Sequence, residues 1–538
     1  MDATPRSQVV YTEDSILRDT PAPPWPGQSD TPRRFAYAAL AHALHHPNRM
    51  AISAGERHWT YADLAAATNA ATALLKDKGV RRGDRIMLVG ENGAGLAAFI
   101  LAAGLVDCCA VLENARRAPL EVDAIQAHAE PALTLYFSED SGDAAEHGRR
   151  HGALPTELPH IGKLMIQRAP QDVSPDPVEG TSNDVAALIY TTGTTGTPKG
   201  VMLTHGNLLY LGAMMIALRK LDASDRVYGV LPITHVMGLV AVFGATLRAG
   251  AHVHLVARFS PAQCLKALDT ESISILQGAP AMFAKLADCA HKRPVKAPAL
   301  RFIAAGGAPI DATVMADAAT LFGLPLHNGY GLTEGSGLCW TRLDTPRNDC
   351  SVGLPLPGVE IRLLQPDGTE VADGGTGELW ARGPNVMKGY YRNPALTEQV
   401  MRPGGWFNTQ DLARVDKDGH VFIEGRTKDL IISNGFNVYP LEVENVLNAH
   451  PAIVQSAIVP RTSGGNEEVV AFIELAEDVH LSREQLQAYL AERLSPYKRP
   501  RDIYVVSQLP SSPNGKVLKH KLKTIAQSPE PVGTTRLC

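Results

Sequence analysis

A chain of 538 residues is long for a single core, and predicts several folding units of ~150 residues each. An apolar share of 45% and a charged share of 20% describe a globular protein, and a net charge of −5 argues against a nucleic-acid partner. Apolar runs such as "GLAAFILAAGLV" (95–106) fall short of the ~20 residues of a membrane span, no secretory leader pattern opens the chain, and seven cysteines without CxxC spacing indicate neither zinc nor disulfides. The expectation is a cytoplasmic protein with reduced thiols and no transmembrane segment.

Residues 1–34, with "RDTPAPPWPGQSDTPRR", read as a loose N-terminal arm. From about residue 83 strand and helix patterns alternate. "DRIMLVG" reads as a buried strand, "AGLAAFILAAGLV" as a helix, "NLLYLGAMMIALRKL" as a helix, "DRVYGVLPI" as extended and "MGLVAVFGATLRAG" as a helix. "SPAQCLKALDTE" opens with Ser260 as N-cap and Pro261 at the first helical position. "SISILQG", "PAMFAKLADCA", "LRFIAAGG" and "DATVMADAATLFG" continue the alternation, which implies mostly parallel sheets covered by helices. After about 350 the texture changes to short strands between Gly, Asp and Pro turns ("GELWARG", "GHVFIEGR"), a small β-barrel-like unit. From about 430 "LEVENVLNAH", "VQSAIVP", "VVAFIEL" and "SREQLQAYLAERL" describe a separate, smaller α+β domain.

The stretch "TTGTTGTPKG" (191–200) holds three glycines, five threonines and a lysine. It is not a Walker loop: Pro198 stands where the second glycine belongs and Gly200 where the metal-binding hydroxyl belongs. It keeps the parts of an anion cradle. Gly193 and Gly196 free backbone N–H groups, Thr191, Thr192, Thr194 and Thr195 add hydroxyls, Lys199 adds charge, and a helix start is expected just downstream. By itself the stretch reads equally well as a flexible Gly/Thr turn between strand and helix.

"YTTGTTGTPKGVMLTH" closely resembles the signature loop of the adenylate-forming superfamily, which comprises acyl- and aryl-CoA synthetases, carrier-protein-loading adenylation domains and beetle luciferases. "NGYGLTEG" (328–335), "GWFNTQDLARVDKDGHVFIEGRTKD" (405–429), "NGFNVYPLEVENVL" (434–447) and "PNGKVLKHKL" (513–522) match in the expected order, so the resemblance spans 190–522. It implies a large N-terminal domain (35–425, with the β unit at about 350–425), a hinge at 426–428 and a mobile C-terminal lid at 429–538. It also implies ATP, Mg²⁺ and coenzyme A as reaction partners. In the family a carboxylate attacks the α-phosphorus of ATP, giving acyl-AMP, which a thiol then cleaves. The nucleophile is already an anion, so positioning and charge stabilisation are the protein's task.

Residue by residue, the resemblance makes 191–196 and Lys199 a pyrophosphate clamp. Gly306, Gly307, Ala308 and Pro309 become a purine platform, and Asn328, Gly329, Tyr330 and Gly331 an adenine site. Thr333 resembles the α-phosphate hydroxyl and Glu334 the Mg²⁺ ligand, with Thr194 nearby. Asp411 and Arg426 resemble ribose contacts. The family triplet Thr-Gly-Asp is here "TQD", and Gln410 replaces a glycine that tolerates positive φ. Lys428 falls at the hinge, Lys516 resembles the lysine delivered for adenylation, and Gly435 with Phe436 resembles the pantetheine passage; Asn434 departs from the family's usual glycine or lysine.

"LPITHVMGLVAVFG" bears on the acid. Amino-acid-activating relatives carry an aspartate here for the substrate ammonium; this chain has His235, then Met237 and Gly238. The expected substrate is a fatty or aryl acid without an α-amine, in a pocket of His235, Met237, Gly238, Gly331 and Gly335. His235 is either a catalytic gate or a satisfied core histidine. The acceptor is expected to be CoA, with an acyl carrier protein as the alternative. A luciferase-like oxygenase and a non-enzymatic nucleotide binder are weaker readings. Oligomeric state is left open, a dimer included.

Overall fold

The computed structural model describes residues 34–170, 172–192, 198–291, 293–433, 436–463, 466–476, 479–512, 517–528 and 533–537. Two large sheets carry the first two thirds of the chain. One has eight strands, with Val185–Thr192, Cys109–Asn114, Arg85–Gly90 and Leu133–Tyr136 running parallel at its centre. The other has nine, with Leu326–Tyr330, Phe302–Gly306, Ile275–Gly278, Arg226–Gly229, His252–Leu255 and Met50–Ala54 parallel. Parallel strands need helical crossovers, and these cover the sheets. The helix Ala94–Leu105 is apolar on every side because it is buried on every side, touching strands of both sheets. Ser260 caps the helix Pro261–Thr270 by accepting a hydrogen bond from the Gln263 amide.

A five-stranded antiparallel sheet follows, built from Glu360–Leu364, Thr376–Arg382, Met401–Arg402, Trp406–Val415 and Val421–Arg426. The C-terminal part has its own core under a four-stranded sheet, Ile453–Ser463, Asn466–Leu475, Asp502–Val505 and Thr535–Arg536, with the helices Pro440–Asn448, Arg483–Ala491 and Lys519–Ala526. The class is thus α/β with a smaller α+β unit at the C-terminus.

Three sequence expectations change. Arg34, assigned to the loose arm, is buried and ion-paired to Asp107 at 2.6 Å and Asp184 at 2.9 Å; residues 1–33 lie outside the described residues. The segment 237–244 is helical but wound as a π-helix, Met237–Gly244, before an α-turn at Ala245–Arg248. Its glycines serve close packing: a Cβ on Gly238 would lie 2.0 Å from the Pro232 carbonyl. Finally, Thr191 and Lys199 belong to adjacent antiparallel strands, Val185–Thr192 and Pro198–Thr204, and face each other directly. The next helix begins only at His205, its first turn closed by a reciprocal Thr204–Asn207 cap, so its N-terminus is not spent on the loop.

Candidate active site

A cavity of about 1550 Å³ opens where the edges of these sheets meet the C-terminal unit. At one end Asp411 and Arg426 sit directly opposite each other on paired strands, joined by a 2.9 Å ion pair. Tyr330 donates its phenol proton to the other Asp411 oxygen. Asp411 is buried, and its charge is the main reason the Arg426 pKa lies above its ordinary value. Burial, then the Asp411 charge, pushes the Tyr330 phenol far up.

The strand reaches this geometry through a bulge opposite Leu379. Gln410 adopts φ +58°, the left-handed conformation a glycine takes easily. Asn408 accepts from the Gln410 amide at 2.7 Å and Thr409 from the Asp411 amide at 3.1 Å, so neighbouring side chains stabilise the turn that glycine would have made free. The substitution keeps the backbone and leaves Asp411 in the cavity wall.

Across the cavity Glu334 lies on a short 3₁₀ turn, Thr333–Gly335, and accepts from the Tyr390 phenol at 2.9 Å. Lys199 stands 5.7 Å from the Tyr390 ring centre. Tyr390 carries no motif signal; only its place in "KGYYRNP" beside basic residues sets it apart. Lys428 joins the wall from the turn Thr427–Asp429. Burial, and then the Arg426 and Lys199 charges, hold its ammonium below the usual lysine range. Three cations from three elements thus converge on one space, an arrangement that favours a polyanion.

Gly307, Ala308, Pro309, Asn328, Gly329, Tyr330, Gly331 and Thr333 all line the cavity, and Gly307 has φ +81°. Asn328 is already engaged: its Nδ2 donates to Ser351 O at 3.2 Å, and its Oδ1 accepts from the Gly329 amide at 3.0 Å. His235 and Met237 line the cavity as expected, whereas Gly238, Gly306 and Gly335 do not. Gly306 lies beneath the Met237 methyl, and a Cβ there would meet it at 2.9 Å. The C-terminal unit adds Lys498, paired with Glu442, and Lys519, paired with Glu444, to the opposite wall. Gly193, Thr194, Thr195, Gly196, Gly435 and Lys516 lie outside the described residues, as do the side chains of Thr192 and Phe436.

This fold and cavity define the class of AMP-forming acid–thiol ligases, and comparison with known proteins agrees. The AMP-binding enzyme profile matches residues 40–391, and that of the AMP-binding enzyme C-terminal domain matches 442–516. The chain is 33% identical to a feruloyl-CoA synthase of Amycolatopsis sp, over 89% of this chain and 96% of that protein. It is similar to ATP-bound MatB from Rhodopseudomonas palustris, with 28% identity and a TM-score of 0.81, covering 92% of this chain and 99% of that one. An o-succinylbenzoate CoA synthetase from Bacillus subtilis, in complex with ATP and magnesium, gives 27% identity and a TM-score of 0.76 over 90% and 99% of the two chains. The chain belongs to the AMP-binding enzyme family, and its substrates are ATP, a small carboxylic acid and CoA. No helix among the described residues is long and apolar enough to cross a membrane.

Proposed function

We propose that the chain joins a fatty or aryl acid without an α-amine to CoA, through an acyl-adenylate formed with release of pyrophosphate. The observation that carries this reading is the convergence of Lys199, Arg426 and Lys428 on a cavity that also holds Glu334 and Asp411. An acid carboxylate and a triphosphate repel each other, and fixed cations lower the barrier by offsetting charge as the two meet. Asp411 and Arg426 take the ribose, Tyr330 stacks on adenine, Thr333 serves the α-phosphate, and Lys199 with the 191–196 loop grips the leaving pyrophosphate. The engaged amide of Asn328 makes it a wall of the adenine site rather than a free hydrogen-bonding arm.

Magnesium fits the donor set. It is bound through one or two carboxylates plus substrate phosphates, and Glu334 supplies a hard oxygen ligand in the cavity wall, to which the family resemblance adds the Thr194 hydroxyl. When bound it neutralises phosphate charge. Lys428 acts as the hinge on which the C-terminal unit alternates, bringing Lys516 for adenylation and Gly435 with Phe436 for thiol attack. His235 serves as a wall of the acid site, and the setting is cytoplasmic.

The deciding experiment is a pyrophosphate-release screen over a carboxylic-acid panel, with and without CoA. Acid-dependent pyrophosphate release followed by CoA-dependent AMP formation is expected. Adenylate formation that free CoA leaves unconsumed would transfer the reading to a ligase that loads an acyl carrier protein.

A further inference from the structure

Arg219 ends the helix His205–Arg219 and is wholly buried. It donates to Ala241 O at 2.5 Å, to Met215 Sδ at 3.1 Å and to Gln277 Oε1. The rings of Trp340 and Phe302 flank it at 5.3 and 5.9 Å. No carboxylate among the described residues pairs with it, unlike the equally buried Arg85, which meets Asp176 at 2.7 Å. A guanidinium has five N–H donors, so three acceptors leave it short. Arg219 Nε, Gln277 Nε2 and Trp340 Nε1 are all buried without a partner. Orphaned buried donors are costly and uncommon, and three around one side chain call for an acceptor. Burial alone pushes the Arg219 pKa down to about 9, as an uncompensated cation requires.

These donors lie just behind the wall of the cavity that Gly329 and Met237 form. Gly329 lines it, and the Trp340 ring packs on Gly329 so closely that a Cβ there would lie 2.2 Å from a ring carbon. Gln277 pairs with Ala304, two residues and ~7 Å along one sheet face from Gly306, which Met237 covers. Met237 is a cavity residue, and an unbranched thioether repacks easily. We propose that Arg219, Gln277 and Trp340 form a polar end wall of the acid site behind Met237, and receive an oxygen acceptor at the end of the acid opposite the carboxyl group that is activated. The acid is therefore a second-carboxylate or phenol-bearing compound rather than one with an apolar tip. This deepens the ligase reading and rests on it.

The test uses matched acids of equal length, each with an apolar, a phenolic or a carboxylate tip. Binding is followed by calorimetry and turnover by pyrophosphate release. Oxygen-tipped acids should exceed their apolar matches by roughly 10²-fold in kcat/KM, the scale of one hydrogen bond to a charged group. Arg219→Met should remove that preference while pyrophosphate release with apolar-tipped acids persists; Gln277→Leu, a milder change, should reduce it in the same direction. Phenol and carboxylate arms separate the two oxygen sources. Equal or better use of apolar-tipped acids by the native enzyme, or a preference that survives Arg219→Met, overturns the end wall and leaves the ligase reading intact. If no acid releases pyrophosphate the ligase reading fails, and an equal calorimetric Kd across tips would then overturn the end wall as well.

Discussion

The two ends of the cavity are built on opposite plans. At the proposed nucleotide end both carboxylates already have partners: Asp411 holds Arg426 and Tyr330, and Glu334 holds Tyr390. At the proposed acid end the wall is Met237, His235 and backbone, with Arg219 behind Met237 short of acceptors. Every enzyme of this chemistry meets the same nucleotide, so rigid, pre-paired groups lower its reorganisation cost. The acid differs from enzyme to enzyme, so its end is made of adaptable side chains and donors that await a ligand.

The contrast can be broken from either side. The largest effect should come from Lys516→Ala, which in the proposed role removes a charge needed only while carboxylate meets α-phosphate. Adenylation should fall ~10²–10³-fold while a pre-made acyl-adenylate still reacts with CoA. Equal losses in both half-reactions of the folded variant would end that role for Lys516. Asp411→Asn unpairs Arg426 and weakens the Tyr330 contact together, so kcat/KM for ATP should drop ~10²-fold with the KM for acid nearly unchanged. A matching rise in the acid KM would dissolve the division between the two ends.

Glu113 tests the support beneath the nucleotide end. Burial raises its pKa to about 7 despite Arg117, which it grips at 2.7 Å while Arg117 also donates to Tyr190 O, next to Thr191. The folded chain therefore binds more protons than the unfolded chain between about 4.5 and about 7, and stability contributed by this group is lost as pH rises through that window. Glu113→Gln should stabilise by ~1–3 kcal/mol at pH 8 and by little near pH 4.5; urea unfolding at the two values reads the difference, and a pH-independent effect would reject it. At the acid end Met237→Ala should shift kcat/KM about tenfold in favour of longer acids and leave the KM for ATP alone. The smallest change is expected of Gln410→Gly. Relief of left-handed strain and the added chain entropy of glycine nearly cancel, so the unfolding midpoint should correspond to less than ~1 kcal/mol either way. A loss above ~2 kcal/mol would mean that the glutamine side chain itself holds the turn.

The sequence alone determined the alternation of strands and helices, because apolar periodicity and caps such as Ser260–Pro261 are local properties. It also determined the class of chemistry, because five motifs resemble those of the adenylate-forming superfamily in residue type and in order. Pairing across strands was not legible. That the 191–200 loop joins two strands, rather than a strand and a helix, depends on Pro198–Thr204 finding Val185–Thr192. Gln410 could be flagged in sequence, but whether it would follow glycine's backbone depended on Asn408 and Thr409. Tyr390 had no signal beyond its basic neighbours and Arg219 had none, since neither sits in a motif. Only tertiary structure brings Tyr390 against Glu334, and buries Arg219 between Trp340 and Phe302 from strands more than 80 residues away. Local chemistry is written in residue order, whereas burial and partnership are long-range and are decided only when the sheets close.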